Sequence, residues 1–355
     1  MSKEALVVGV TGIAGNNIAQ VLLKEGFVVH GLTRKQGITV PGVHHIYGDV
    51  LDPESLSMAI ADINVTHLFF CTWSRQDTEA ENIKVNGAML QNTVNALKSK
   101  KNLEHTVLVT GLKHYLGPFE SYAATPMETP FKESQPRLPI ENFYYTQEDI
   151  LIKAAEEQGF SWSVHRPHTM IGWALGNAMN MGVTLAVYAS ICKETGRPFV
   201  FPGSKEQFNG VTDVTDARLL ARHAVWSATT PAAKNQAFNT VNGDVFRWRQ
   251  LWKLIAEYFG LQDPGYPSET TPLEPKMADA DEIWKGVVAK YSLAPYKATE
   301  IASWWHTDAD LGRQVETFAD MGKSRKADFR EVQVTPDSFF DLFDRLLAEK
   351  IIPPK

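Results

Sequence analysis

The chain has 355 residues, of which 44% are hydrophobic and 21% are charged, values close to those of ordinary globular proteins. This length exceeds that of a typical single domain, so we expect two domains or one large sheet with additions. The formal net charge of −6 excludes the broad basic surface of a nonspecific nucleic-acid binder. The N-terminal apolar run is too short for a membrane helix and lacks the layout of a secretory signal, so we expect a cytoplasmic protein with neither a nucleic-acid nor a membrane partner.

The cysteines and histidines do not form the patterns of a metal site or a disulfide framework. Cys71 lies in an apolar run and Cys192 in a predicted helix, and the chain contains no CxxC motif. The ten histidines are scattered, without an HExxH motif or a cluster at helical spacing. We therefore predict no bound metal.

The first half alternates short apolar runs with helical stretches, which is the pattern of parallel strands joined by crossover helices. Strands are predicted at residues 5–10, 28–32, 44–49, 67–71, 106–110 and 162–166, and helices at 16–25, 53–60, 79–97 and 143–158. The first and fifth of these strands are apolar without alternation, as is typical of strands covered on both faces. The predicted fold class is α/β, a Rossmann-like doubly wound parallel sheet, and residues 1–167 are assigned to its NADP-binding domain.

Beyond Pro167 the pattern becomes less regular, with loops rich in glycine and proline between helices predicted at residues 214–227, 249–259 and 279–290. Residues 168–355 are predicted to form a smaller, mostly helical substrate-binding portion, some of whose strands are allowed to return to the main sheet. Its many aromatic residues, including Trp304 and Trp305, are interpreted mainly as core. The alternative is that they line a substrate cavity where the two portions meet.

A glycine-rich turn directly after the first strand predicts nucleotide binding. Gly9, Gly12 and Gly15 have GxxGxxG spacing and precede a helical pattern. Glycines let the backbone approach a pyrophosphate closely, while the helix N-terminus offers free N–H groups and a partial positive charge. The strand-turn-helix context makes the motif specific. We assign cofactor binding to Gly9, Thr11, Gly12, Ile13, Ala14 and Gly15.

The end of the second strand predicts which dinucleotide is bound. Residues 31–36 read Gly-Leu-Thr-Arg-Lys-Gln, with two cations and no acid. A carboxylate here accepts the ribose hydroxyls of NAD, whereas cations accept the 2′-phosphate of NADP. Arg34 is the leading candidate, because a guanidinium hydrogen-bonds phosphate and stacks on adenine, and Lys35 is the second. The predicted cofactor is NADPH.

The segments after the fourth and fifth strands are predicted to carry the chemistry, because reactive groups of a doubly wound sheet gather beyond the carboxyl ends of its strands. These segments contain Thr72, Trp73, Thr110, Gly111 and Lys113, which we assign to cofactor binding together with Tyr144.

Tyr144, near the start of the helix before the sixth strand, is the candidate phenol. Short-chain dehydrogenases carry a YxxxK motif here, but this chain has Glu148 four residues after Tyr144. A glutamate inverts the local electrostatics and repels a phenolate. Lys113 is the obvious replacement for the missing cation, because strand ends and the helix N-terminus meet at the nicotinamide.

Several motifs together resemble one known family. They are GVTGIAGN (9–16), Thr72-Trp73, GLKHYLGPFE (111–120), NFYYTQEDIL (142–151) and WSVHRP (162–167), with further likeness at 187–205, 235–260 and 304–305. The chain thereby resembles the progesterone 5β-reductase/iridoid synthase-like (PRISE) enzymes over nearly its whole length. These are atypical short-chain dehydrogenases that reduce activated carbon–carbon double bonds with NADPH. Segments 307–311 and 323–335 match the plant members poorly, which puts steroid use in doubt.

The resemblance implies both the reaction and the site. Hydride passes from NADPH to the β-carbon of an enone or enal, while Tyr144 hydrogen-bonds the carbonyl oxygen and Lys113 holds the ribose and supports the phenol. The family's motif places the catalytic tyrosine at the first of the adjacent pair. The resemblance also implies an adenine contact by Asp49 and Val50, a nicotinamide-side contact by Met170 and Asn177, and a substrate pocket shaped by Phe119, Tyr145 and His168. Relatives in this family are often homodimers, so a homodimer is expected.

Two other functions stay open at this point. A carbonyl reductase or sugar-nucleotide epimerase of the extended short-chain type predicts a YxxxK motif, which Glu148 interrupts. A non-catalytic NADP sensor of the NmrA-like type keeps the glycine turn and loses the reactive tyrosine, whereas this chain has Tyr144 and Lys113.

Overall fold

The computed structural model describes residues 3–34, 36–118, 128–174 and 179–355. Its strands are β1 (Glu4–Val8), β2 (Val28–Thr33), β3 (His44–Tyr47), β4 (His67–Phe70), β5 (His105–Val109), β6 (Ser161–Pro167), β7 (Met170–Ile171), β8 (Thr215–Asp216) and β9 (Gln236–Thr240). Within these residues, seven strands form one parallel sheet in the order β3-β2-β1-β4-β5-β6-β9, and β7 pairs with β8. The strand order reverses between β1 and β4, as in a doubly wound sheet. The predicted fold class is confirmed.

Helices surround the sheet and build the second half of the chain. They are α1 (Ile13–Lys24), α2 (Pro53–Ala59), α3 (Glu79–Leu97), α4 (Lys113–Leu116), α5 (Phe143–Gln158), α6 (Met181–Thr195), α7 (Lys205–Asn209), α8 (Ala217–Thr229), α9 (Trp248–Phe259), α10 (Leu273–Lys276), α11 (Ala280–Tyr291), α12 (Ala298–Ile301), α13 (Trp304–Leu311), α14 (Gly322–Lys326) and α15 (Thr335–Ala348). The predicted bounds of α3 and α5 are confirmed. Among the described residues, no helix has both the length and the apolar character needed to cross a bilayer.

Strand β1 shows why the centre of the sheet is apolar on both faces. Leu6 and Val8 pack into one hydrophobic layer, which includes residues of α3 and α5. Ala5 and Val7 point the other way, into a layer with residues of α1 and α8. All four side chains are buried, because successive residues of a strand face opposite sides and both sides are covered by helices.

The largest hydrophobic cluster lies in the second half of the chain, around α6, α9, α11 and α15. Trp252, Trp284 and Phe339 are fully buried in it, and the Trp252 indole stacks on Phe199 with ring centroids 4.3 Å apart. Core packing is therefore the role of most aromatic residues in this portion, as the more conservative interpretation of the sequence predicts.

Two elements from beyond residue 167 complete the layers of the first half. Strand β9 pairs with β6 at the edge of the main sheet, and α8 packs its alanines against the helix α1. The second portion therefore takes part in the sheet, as the sequence interpretation allowed, while the division at residue 167 stays a prediction.

Candidate active site

A cleft of about 480 Å³ opens at the carboxyl ends of the central strands, on both sides of the point where the strand order reverses. This is the position at which doubly wound sheets bind their ligands. The predicted cofactor residues that line the cleft are Gly9, Thr11, Gly12, Ile13, Ala14, Arg34, Asp49, Val50, Thr72, Trp73, Thr110, Tyr144 and Met170. Gly15, Gly111 and Lys113 lie outside this lining, and Lys35 and Asn177 lie outside the described residues.

The glycine turn forms the floor of the cleft and fits a dinucleotide. Gly9 has a φ of +82°, which L side chains rarely adopt. A Cβ atom on Gly15 would lie 2.2 Å from the Gly9 carbonyl oxygen, so the first turn of α1 packs directly on the loop. The helix begins at Ile13, three residues earlier than predicted, and Gly12 is its N-cap. Since α1 has neither a side-chain cap nor an acidic first turn, its N-terminal N–H groups face the cleft without a competing carboxylate.

The ends of β2 and β3 bring the predicted adenosine contacts together. Arg34 is exposed and lines the cleft directly after β2. Asp49 Oδ1 accepts a hydrogen bond from the backbone N–H of Leu51 at 2.9 Å, while the Val50 side chain is buried. One cation, one carboxylate and one apolar side chain therefore border the same end of the cleft.

Tyr144 lies in the first turn of α5 and reaches the carboxyl end of β5. A Cβ atom placed on Gly111 would be 3.3 Å from Tyr144 Oη and 3.4 Å from the Pro167 carbonyl oxygen. Only a small residue at position 111 leaves this space to the phenol. The residue is 8% exposed and lines the cleft at the carboxyl end of the sheet.

Lys113 opens the short helix α4 directly after β5. Its Nζ lies 5.2 Å from the centre of the Trp73 ring and 5.7 Å from that of Phe143, and these two rings stack at 5.5 Å. It borders a small polar cavity that adjoins the main cleft and shares Trp73 with it. The ammonium group is thus held beside aromatic faces next to the helix that carries Tyr144.

Glu148, which replaces the usual lysine, is a buried and neutralised carboxylate. Arg166 donates to it at 3.1 Å, Arg137 donates at 3.1 Å, and His114 Nδ1 lies 3.3 Å away. Burial by itself would raise the pKa of Glu148, but the hydrogen bond with His114 and the charge of Arg166 lower it to about 2. Arg166 also donates to Tyr115 Oη at 3.2 Å. The predicted inversion of charge beside the phenol is therefore wrong, because partners distant in sequence neutralise the carboxylate.

Two residues predicted for the substrate pocket have other surroundings. Tyr145 Oη donates to the His114 carbonyl at 2.6 Å and accepts from the Leu138 N–H at 3.0 Å, so its hydroxyl is used in the interior. Neighbouring helical residues point about 100° apart, and here Tyr144 takes the cleft side. Phe119, the third predicted pocket residue, lies outside the described residues.

His168 lies in a buried ionic network instead of the cleft lining. Its Nδ1 is 2.6 Å from Asp213 Oδ1, and its Nε2 is 2.6 Å from Arg313 Nη1. Arg313 also pairs with Asp310, which accepts a hydrogen bond from Thr169 at 2.6 Å. The structure thus gives His168 a part in joining the strand β7 region to the segment after α13, and the substrate contact predicted for this residue stays a prediction.

Comparison with known proteins identifies the family of this chain. The family described as PRISE-like Rossmann-fold domain matches residues 46–353. The chain belongs to this family. The (S)-8-oxocitronellyl enol synthase of Nepeta cataria is 40% identical, covering 98% of this chain and 93% of the relative. The 3-oxo-Delta(4,5)-steroid 5-beta-reductase of Arabidopsis thaliana is 39% identical with the same coverage. The family predicted from the sequence motifs is confirmed.

Solved structures share the fold of this PRISE-like protein at low sequence identity. The UDP-glucose 4-epimerase of Thermotoga maritima gives a TM-score of 0.68 at 12% identity, covering 97% of this chain and 99% of the epimerase. The enzyme WbmH of Bordetella bronchiseptica gives a TM-score of 0.63 at 17% identity, covering 98% of both chains. At such identities the likeness concerns the fold, and it agrees with the doubly wound architecture.

The residues of this PRISE-like chain that line the cleft without having been assigned from the sequence include Arg75, Met179 and Trp305. The Arg75 guanidinium lies 3.8 Å from the centre of the Trp305 ring, so the loop after β4 meets α13 across the cleft. The Trp304-Trp305 pair was visible as a family resemblance, but only the fold shows that Trp304 is buried and Trp305 faces the cleft.

Proposed function

We propose that the protein is an NADPH-dependent ene-reductase that adds hydride to the β-carbon of an α,β-unsaturated ketone or aldehyde. The observation that carries the proposal is the position of the Tyr144 phenol, which lines the nucleotide-type cleft and lies against Gly111 at the end of β5. A hydrogen-bond donor at this point is suited to a carbonyl oxygen on which negative charge develops.

The cleft residues support NADPH as the cofactor. Bound NADPH supplies the hydride. Gly9, Gly12 and the N-terminus of α1 are suited to its pyrophosphate, because they offer backbone N–H groups and the first turn of α1 contains no acidic residue. Arg34 is suited to the 2′-phosphate, because a guanidinium makes charge-assisted hydrogen bonds to phosphate oxygens.

Tyr144 and Lys113 have distinct proposed roles. Tyr144 donates a hydrogen bond to the substrate carbonyl oxygen, stabilises the enolate charge that forms there and orients the substrate. Lys113 holds the nicotinamide ribose and adds a positive charge beside the phenol. The proton that completes the α-carbon comes from solvent. The carboxylate of Glu148 does not oppose the positive charge that Lys113 places beside the phenol, since Arg166 and Arg137 neutralise this carboxylate.

The substrate class follows from the cleft surface and from the relatives. Trp73, Met170, Met179 and Trp305 give the cleft apolar surface beside its polar residues, which is suited to a hydrocarbon skeleton. The name of the Arabidopsis relative specifies a 3-oxo-Delta(4,5)-steroid, in which ketone and double bond form an enone. We therefore propose a small enone or enal as the substrate.

The test is NADPH consumption with 2-cyclohexen-1-one, citral and progesterone, followed by product analysis. A saturated ketone or aldehyde is expected, because hydride adds to the β-carbon. An allylic alcohol would instead indicate carbonyl reduction. NADPH binding without turnover of any of the three would favour the sensor function.

A further inference from the structure

Asn142 connects the two proposed catalytic residues through its side chain. It is the N-cap of α5, and its Oδ1 accepts a hydrogen bond from the Tyr144 backbone N–H at 2.9 Å. Its Nδ2 donates to the Lys113 backbone carbonyl at 2.7 Å. Only 3% of the residue is exposed, so water does not readily replace either contact. One amide thus touches the backbone of both residues.

The bridge matters because the helix that carries Lys113 is short. Helix α4 has four residues, and a single helical turn is not stable by itself. Its first carbonyl, that of Lys113, already accepts the Gly117 N–H at 2.9 Å within the turn. The Asn142 amide uses the second acceptor position of the same oxygen and ties this turn to α5.

A second side chain, that of Glu79, bonds the N-terminal end of α5. Glu79 Oε1 accepts a hydrogen bond from the Phe143 backbone N–H at 2.7 Å, and Glu79 borders the small cavity that Lys113 also lines. Two side chains, those of Asn142 and Glu79, therefore accept hydrogen bonds from backbone N–H groups at the start of α5. Within the part of the chain that the structure describes, only Asn142 of these two also contacts the Lys113 backbone.

We propose that Asn142 is a positioning residue that sets Lys113 relative to Tyr144 for the reaction. The proposal rests on the function proposed above for these two residues. When the amide contact is lost and the cap of α5 is kept, Lys113 and its charge are free to move away from the ribose and the phenol, while the helix that carries Tyr144 keeps its cap. Catalysis depends on the distances from the Lys113 charge to the ribose and to the phenol. A charged group that is not held in place must be positioned anew in each turnover, and it then contributes less to the rate.

Two variants separate the bridge from the helix cap. Asn142→Ser keeps a good N-cap oxygen but has no amide to reach Lys113, whereas Asn142→Ala loses both contacts. We expect kcat to fall about tenfold in each, the effect of one buried hydrogen bond. We expect Tm to fall by about 2 °C more in Asn142→Ala than in Asn142→Ser, because only the alanine variant also loses the cap. Wild-type kcat in Asn142→Ser would overturn the proposal, because the residue would then act only as a cap.

A double-mutant cycle tests whether Asn142 acts through Lys113. In a Lys113→Ala background, Asn142→Ser is expected to cause no further loss of kcat, because the group that it positions is gone. An undiminished tenfold loss in that background would contradict the proposal. Full activity of Lys113→Ala would overturn the role proposed for Lys113 together with this inference, while leaving the ene-reductase function itself intact. Reduced activity of Lys113→Ala with wild-type activity of Asn142→Ser would overturn this inference alone.

Discussion

At the scale of single residues, Tyr144 and Arg34 define the two ends of the cleft. The phenol of Tyr144 lies against Gly111, and the guanidinium of Arg34 follows β2 at the adenosine end. Each offers one kind of hydrogen bond, the first to a carbonyl oxygen and the second to a phosphate. Their removal is therefore expected to have separate effects, one on turnover and one on cofactor choice.

Tyr144→Phe is expected to lower kcat about 100-fold or more while NADPH affinity stays the same. The change removes only the hydroxyl that stabilises the charged oxygen, and loss of one such donor typically has this magnitude. Steady-state kinetics and NADPH fluorescence titration measure the two quantities. Tyr188→Phe is a matched control, because its hydroxyl bonds the Val200 carbonyl in the second-half core at 3.1 Å. Unchanged turnover in Tyr144→Phe would refute the assignment.

Arg34→Ala is expected to weaken NADPH binding by about 10-fold or more and to leave NADH binding nearly unchanged. The lost contact is a charge-assisted hydrogen bond to the 2′-phosphate, which NADH lacks. The KM values for both nucleotides report the difference. Arg330→Ala serves as the control, because Arg330 is exposed and pairs only with the exposed Asp328 among the described residues. An equal effect on both nucleotides would contradict the 2′-phosphate contact.

At the scale of elements, the crossing of the glycine turn and α1 is the tightest contact around the cleft. Gly15 lies within α1, yet it has no room for a methyl group, because the Gly9 carbonyl occupies that space. Gly286 lies within α11, and a Cβ atom there would meet nothing within 4 Å. The same substitution is therefore expected to have opposite effects in the two helices.

Gly15→Ala is expected to destabilise the protein by about 1–3 kcal/mol, the usual cost of overpacking, and to weaken NADPH binding. Gly286→Ala is expected to stabilise it by about 0.5–1 kcal/mol, because alanine favours the helix and nothing obstructs its methyl group. Denaturant unfolding and NADPH titration of both variants provide the measurement. A Gly15→Ala protein with wild-type stability and affinity would show that the loop has more freedom than this packing implies.

At the scale of the whole molecule, buried histidines join the sheet to α8. His105 bonds Ser163 at 3.0 Å, and Ser163 bonds Ser227 of α8 at 2.9 Å. His165 continues from Ser227 at 2.8 Å. Burial lowers the pKa of both His105 and His165 to about 3, so both are neutral at pH 7. In the unfolded chain the same side chains take up protons near pH 6.5.

Stability is therefore expected to fall as the pH drops from about 6.5 towards 3. In this window the unfolded state binds protons that the folded state refuses, and each such histidine contributes a slope of roughly 1.4 kcal/mol per pH unit. Denaturant unfolding between pH 7.5 and 5 measures it. His105→Gln removes one of these groups and is expected to flatten the slope. His44→Gln, on the exposed strand β3, is the control, and an equal slope in both variants would contradict the prediction.

The family, the element order and much of the cleft could be predicted from the sequence. Helix α5 was predicted with its observed bounds, and the residues that cap its two ends, Asn142 and Gly159, are of types that mark helix ends locally. The glycine turn was predicted for the same reason, since its spacing and the strand before it are local. Those predictions needed only the identity of residues that are neighbours in the chain, together with the rule that the carboxyl ends of parallel strands lie at one edge of a sheet.

The surroundings of individual charged side chains could not be predicted in the same way. Glu148 was correctly noted as a departure from YxxxK, but its partners Arg166, Arg137 and His114 come from a strand, a loop and a different helix. The surroundings of His168 are likewise set by a distant residue, since its partner Asp213 lies 45 residues away in sequence. Such partners depend on long-range packing that no local pattern encodes.

The sequence by itself therefore determined the doubly wound fold, the family and the glycine turn at the start of the cleft, because these depend on periodicity and short motifs. Only the tertiary structure decided that Tyr144 faces the cleft while Tyr145 does not, and that Asn142 joins the backbone of Lys113 to that of Tyr144. The physical reason is that hydrogen bonds between distant segments exist only once the elements are packed, and a buried polar group takes whichever partner that packing brings within reach.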